Sequence, residues 1–421
     1  MRAAHLVRPS LALLLAAGLS TLATPAGAAQ AASATTSAST ADSAITVTST
    51  EQLAPGVTYD SFEVDTPRGV TVGYLLTADL RRNKVSLDLL HPDSVAQRQV
   101  VSTMTNAQGA IAGVNGDFFN ISETHAGVAP TGSSSGPEIA DGEQLKFAVP
   151  TAQRFGPGLA PGTSTRDVFG VGANGRARVD TLSLAGEVRS RKGTVTLSGL
   201  NQYALPLDGV GLFTSAWGAA SRVRSTCGSD TNRNDPCSTQ TYEVTVRHGV
   251  VTSVGQTPGA GAIPADTEVL VGREGGADAL DDLAVGDRVQ VHEKLTSAGA
   301  PKLTFAVGGA PILRDGAPLA GLDTRTAAVR SAAGVSPDGR TVYLVALAGR
   351  APASAGLTIA ELADLMRTLG AHAAVNLDGG GSTTVAVREP GQAAATARNS
   401  PSDGTERAVA NGIGIFVGRH S

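Results

Sequence analysis

Charge is scarce in this 421-residue chain: 17% of residues are charged and the formal net charge is −4. Without a basic excess there is nothing to neutralise a phosphate backbone, so a nucleic-acid partner is disfavoured. Histidine is sparse as well. The seven histidines show neither HxxxH nor HxH spacing, which argues against a zinc site and leaves no metal or other cofactor implied. Long apolar runs are missing too. The longest, around Leu11 to Leu22, is short for a membrane span, which needs about 20 residues.

That short run lies between Arg2 and Arg8 on one side and Ala26-Gly27-Ala28 on the other. The layout is that of a secretory signal peptide over residues 1–28, and it predicts an exported, extracellular protein without a stable membrane span. Residues 29–44 are almost all Ala, Ser and Thr, too poor in apolar surface to offset ordering entropy, and read as a disordered spacer. Cysteine is limited to Cys227 and Cys237, which flank a polar turn and in an exported chain are expected to close a local disulfide. Between them, Asp230, Asn232, Asn234 and Asp235 echo a calcium loop but lack its central glycine and final glutamate.

What is abundant is glycine, with 51 residues, which together with the low charge suits a turn-rich, sheet-rich fold. We expect an α+β class: a mixed, sheet-rich catalytic domain over residues 45–421 with few helices and a β-rich insertion at about 151–303. The middle alternates as short strands do, in stretches such as QTYEVTVRHGVVTSV and DRVQVHEKL, and contains no sharp motif. One helix is clearly written: Thr358 and Glu361 form a capping box, Ile359, Leu362, Met366 and Leu369 recur at helical spacing, and Gly370 occupies the C-cap position. A strand over Ala373 to Leu377 should follow.

The stretch AVNLDGGGSTTVAV, from Ala374 to Val387, then sets an aspartate, three glycines and three hydroxyl residues between two apolar runs. Successive N–H groups in such a turn can cradle an anion, and glycine lets a ligand approach closely. No lysine follows, so it is no Walker loop, and no G-x-S-x-G surrounds Ser382. The order helix, glycine, strand, V-N-x-D occurs earlier as well, in GAIAGVNGDFFN. If the two strands are neighbours, Asn115, Asp117, Asn376 and Asp378 converge; the alternative is coincidence between short Ala- and Gly-rich segments.

These segments, with TGSSSGPEIADGEQL, FAVGGAPILRDGAP, VRSAAGVSPDGRTVYLVALAGR and SDGTERAVANGIGIF, resemble in content and order the phosphodiester glycosidases. The resemblance spans roughly Thr103 to Val417 and implies hydrolysis of a sugar-1-phosphodiester bond at the anomeric carbon. On that basis Asp378 is the candidate nucleophile or general base. Asp117 is the candidate second carboxylate, with Asp141 and Glu143 weaker ones. Arg330 would neutralise the phosphate, and Arg407 is a second-tier cation. Asn115 and Asn376 would orient the substrate, and a nest of Gly379, Gly380 and Gly381 with Ser382 and Thr383 would hold phosphate or sugar hydroxyls. His125 lies near the first V-N-x-D unit. The expected partner is a phosphodiester-linked glycan. Where the family commonly has Asp-Gly this chain has Ala348-Gly349, so a non-catalytic glycan- or phosphate-binding protein on the same fold is the alternative function.

Overall fold

The computed structural model describes residues 45–299, 301–349 and 354–418; the expected signal peptide and spacer lie outside them. The fold is α+β and rich in strands, with three α-helices among the described residues: α1 (Val101–Ala107), α2 (Gly275–Asp281) and α3 (Ile359–Thr368). No helix among those residues is long and apolar enough to cross a membrane.

Two sheets position the site. The first is eight-stranded, in the order Ile45–Ala54, Val57–Thr66, Gly69–Asp79, Thr341–Leu347, Ser331–Val335, Ala373–Leu377, Ala310–Arg314, Ala317–Pro318. The second is five-stranded, in the order Thr396–Ala397, Val385–Val387, Ala112–Asn115, Gly412–Val417, Val85–Leu90. Because side chains alternate across a strand, each sheet has two faces to cover. Leu344, Ala346, Val375 and Leu377 of the first share one core with Ala112, Val114, Ile413 and Ile415 of the second, so the sheets pack face to face.

The outer faces take the helices. Ile359, Leu362, Leu365 and Met366 of α3 pack with Ala332, Val345 and Ala374; each fully buried aliphatic side chain contributes about 1.5–3 kcal/mol. The capping box read from the sequence is present: Glu361 N donates to Thr358 Oγ1 (3.2 Å) and Thr358 N to Glu361 Oε2 (2.8 Å). On the other outer face, Val101 and Met104 of α1 pack with Leu90, Ala386 and Phe416.

The middle of the chain builds two further sheets. In one, Leu303–Gly308 pairs with both Asp167–Gly172 and Glu138–Ala140, and Glu138–Ala140 with Glu143–Lys146. The β-rich middle therefore shares a sheet with segments on either side of it. In the other, Val210–Phe213, Thr241–Arg247, Val250–Gly255 and Thr267–Arg273 run antiparallel. Cys227 and Cys237 form the expected disulfide.

The two V-N-x-D strands are not paired with each other. Ala112–Asn115 pairs with Val385–Val387 and Gly412–Val417, while Ala373–Leu377 lies in the other sheet. The runs on either side of the glycine turn likewise belong to different sheets. DGGGST is thus the crossover between the two facing layers.

Candidate functional site

At that crossover the ends of the two V-N-x-D strands meet. Asp378 N donates to Gly116 O (2.9 Å) and Asn115 Nδ2 donates to Asp378 O (2.7 Å). Asn115 Oδ1 accepts from Ser331 Oγ (2.7 Å) and Thr384 N (3.1 Å). Convergence is thus achieved through one fully buried amide that ties three chain segments together, and Asn115 is a clip rather than a group facing substrate. Asn376 takes a different direction. Val375 and Leu377 face the core between the sheets while Ala374 faces α3, so alternation puts Asn376 on the α3 side, buried, with neither side-chain polar atom hydrogen-bonded.

The three glycines have three separate reasons. A Cβ at Gly379 would lie 2.5 Å from Val329 O, Gly380 has φ +61° in open space, and a Cβ at Gly381 would lie 2.2 Å from both Arg407 Nη2 and Asp403 Oδ2. The anion nest expected here is not formed. Gly380 N donates to Val329 O, Ser382 N to Gly379 O and Thr383 N to Gly380 O, because the turn is wound as a short 3-10 segment over Gly380–Ser382. Those three N–H groups are turned to the protein, and Gly379 N donates to Asp378 Oδ1 (2.9 Å). Thr383 Oγ1 is buried without a partner.

The turn instead presents a carboxylate. Asp378 lies deep among protein atoms yet keeps part of its surface open to solvent. Burial pushes its pKa up to about 6, with the Asp117 charge adding to the rise and bonds from Ser382 and Gly379 and the Arg407 charge opposing it. Arg407 reaches Ser382 Oγ (Nη1, 3.4 Å) and pairs with Asp403 through Nε (2.9 Å).

Asp117 is the second carboxylate and is almost fully buried. Oδ1 accepts from Phe118 N (2.8 Å) and Oδ2 from Gly136 N (2.5 Å). A Cβ at Gly308 would lie 2.4 Å from Oδ2, so glycine is what admits the carboxyl. Burial raises its pKa, opposed by the Gly136 N–H and by Lys146 and Arg154. Two coupled carboxyl groups in unequal surroundings hold their protons unequally, the condition for one to act as acid and the other as base.

Behind Asp117 is a buried polar cluster that sequence reading missed. Asn411 Oδ1 accepts from Asp117 N (2.9 Å) and its Nδ2 donates to Glu138 Oε1 (2.8 Å), which also accepts from Ser134 Oγ (2.6 Å). Lys146, opposite Glu138 across the strand pair, donates to Gly136 O (2.7 Å) and Phe147 O (2.8 Å). Burial lowers its pKa to about 8 against the charges of Glu138 and Asp117. A lysine inside the apolar run Leu145 to Val149 was the available signal. Arg154 gave none, since it lies in a loop outside every motif; its charge acts on both Asp117 and Asp378.

The remaining candidates lie elsewhere. The Arg330 guanidinium donates to Leu357 O (Nε, 3.2 Å) and Thr326 O (Nη2, 2.8 Å), and the carboxylate charge it meets is that of Asp323. Its expected phosphate-neutralising place is therefore not supported, because α3's entry loop holds it. Asp141 is an exposed turn residue with φ 47° whose N–H binds Asp88, and Glu143 is exposed. His125 is tied between Glu123 Oε1 (2.5 Å) and Asp235 O (2.7 Å). With Cys227 and Cys237 it makes a grouping spaced for a metal, but both sulfurs are bonded to each other.

Residues 240–416 match the model of the phosphodiester glycosidase family. No curated protein matches the chain. A hypothetical protein from Synechocystis is 23% identical with a TM-score of 0.68 over 88% of this chain, which spans 64% of that protein's length. A Burkholderia pseudomallei protein described as a candidate exported protein is 26% identical, with a TM-score of 0.61 over 83% of this chain and 74% of that one. The catalytic domain of zebrafish N-acetylglucosamine-1-phosphodiester alpha-N-acetylglucosaminidase is 13% identical with a TM-score of 0.43 over 89% of this chain and 88% of that one, a likeness too distant to carry chemistry. The matched span holds Asp378 and Arg407, while Asp117, Lys146 and Arg154 precede it. Over residues 240–416, which contain the glycine turn and its carboxylate, the chain carries the phosphodiester glycosidase signature that its motifs implied.

Proposed function

We propose that the protein is an exported phosphodiester glycosidase that hydrolyses a sugar-1-phosphodiester bond, of the N-acetylglucosamine-phosphodiester kind, in an extracellular or cell-envelope glycan. The observation that carries this reading is the coupled carboxyl pair Asp378 and Asp117, brought together by motif segments far apart in sequence. The disulfide is in keeping with export.

In the reaction the bond between the anomeric carbon and the phosphate oxygen breaks, the electron pair leaves with the phosphate, and water supplies the new anomeric hydroxyl. A phosphate leaves as a stable anion and needs less protonation than a sugar alkoxide. Asp378, ionised above about pH 6, attacks the anomeric carbon or removes the proton from water. Asp117, which holds its proton more tightly than an ordinary carboxyl, is the hydrogen donor of the pair. Arg407 adds positive charge beside the turn.

Incubation with a chromogenic N-acetylglucosaminyl phosphodiester should give turnover with release of free sugar. Saturable binding without turnover would instead support the binding-protein alternative, for which Ala348 in place of the common aspartate speaks.

A further inference from the structure

We infer that Arg154 is the residue that binds the substrate's phosphate, and that the loop closed by Cys227–Cys237 holds it in place. This rests on the reading of the site given above. The arginines near the turn differ in what already neutralises them. Arg407 is paired with Asp403, and Arg330 is directed to two carbonyls on the α3 side. Arg154 is part-exposed, and among the described residues its guanidinium hydrogen-bonds Pro157 O and no carboxylate. It stacks over Phe118, 5.0 Å from the ring centroid, and Phe118 N is bound by Asp117. With no carboxylate bonded to it among the described residues, this guanidinium is left with charge for an incoming anion. A planar guanidinium suits phosphate.

Arg154 is not on a strand, so something else must fix it. The disulfide loop grips three consecutive residues. Gln153 Nε2 donates to Ser229 O (2.7 Å), Arg233 Nη1 donates to Arg154 O (3.1 Å), and the Arg233 guanidinium lies 4.1 Å over the Phe155 ring. From the other side Tyr203 Oη donates to Gln153 O (2.9 Å) and Arg224 Nη2 to Gln153 Oε1 (3.1 Å). The loop itself is pinned by His125 at Asp235 O. Order in the loop is thereby converted into position of the guanidinium, and affinity for the anionic part of the substrate depends on a covalent closure remote in sequence from both carboxylates.

The test is calorimetric titration with N-acetylglucosamine 1-phosphate and, separately, N-acetylglucosamine. Arg154→Gln should weaken the sugar phosphate about 10- to 100-fold, as for loss of a charged hydrogen bond, and leave the neutral sugar within about twofold. Arg154→Lys should recover part of the loss. Arg233→Gln should shift phosphate affinity in the same direction by a smaller factor, with the melting temperature checking that each variant folds. Equal losses for both ligands, or a sugar-phosphate affinity unchanged in Arg154→Gln, would overturn the assignment of Arg154. An unchanged affinity in Arg233→Gln would overturn the role of the loop. A wild-type protein that does not bind the sugar phosphate overturns the inference as a whole, whereas binding without turnover overturns only the hydrolase reading.

Discussion

Asp378→Asn should lower kcat on a glycosyl phosphodiester by on the order of 10³-fold or more, the scale seen when an essential catalytic group is removed. The sign of the pH dependence follows from the raised pKa. Asp378 must be ionised to act as nucleophile or base, so wild-type activity should climb through about pH 6 and level off above it. An activity that falls through that range would make Asp378 the acid and exchange the two roles. The same substitution should have the opposite effect on stability. Because the folded pKa is raised above the ordinary aspartate value, the folded state binds the proton more tightly than the unfolded chain. Stability from this group is present at low pH and is lost as pH rises through about 6. Asp378→Asn removes that loss and should raise the melting temperature at pH 8 by on the order of 2 °C, with the difference shrinking towards pH 4. A variant that is both inactive and less stable at pH 8 would indicate a structural carboxylate.

Lys146→Met should destabilise the fold by about 1–3 kcal/mol, the cost of leaving buried hydrogen-bonding groups unsatisfied. Lys146 is fully buried and Glu138 nearly so. The two face each other across neighbouring strands, and Lys146 also satisfies the carbonyls of Gly136 and Phe147. Methionine fills the space but leaves both carbonyls without their donor, and it removes the positive charge that acts on Glu138 and restrains the Asp117 pKa. Adding Glu138→Gln to Lys146→Met should restore part of the stability, because Asn411 and Ser134 can still bond an amide oxygen. Chemical denaturation of the single and double variants checks this. A Lys146→Met protein as stable as wild type would mean that the cluster is not held by its charges.

What the sequence made legible was local. The α3 capping box, the glycine that follows the first helix (Gly109) and the disulfide all depend on residues a few positions apart, and each appears in the structure. Asp378 could be singled out because a carboxylate beside three glycines is unusual within one short window. The purpose of those glycines could not be read, since it depends on Val329 and Arg407, which approach from other parts of the chain. An anion nest is the reasonable reading of the turn in isolation; Val329 O and the 3-10 winding take up the N–H groups of Gly380, Ser382 and Thr383. Arg330 had the same weakness, because a strand register says nothing of where a long side chain ends. Arg154 and Lys146 reach the site only through packing of the middle sheets, and no spacing in the sequence relates them to Asp378.

The most direct test of the proposed chemistry is hydrolysis of an N-acetylglucosaminyl phosphodiester in ¹⁸O-labelled water, with mass analysis of both products. Cleavage at the anomeric carbon by the Asp378 and Asp117 pair should put the label in the sugar's anomeric hydroxyl and leave the phosphate unlabelled. Label in the phosphate would mean attack at phosphorus and would contradict the glycosidase account.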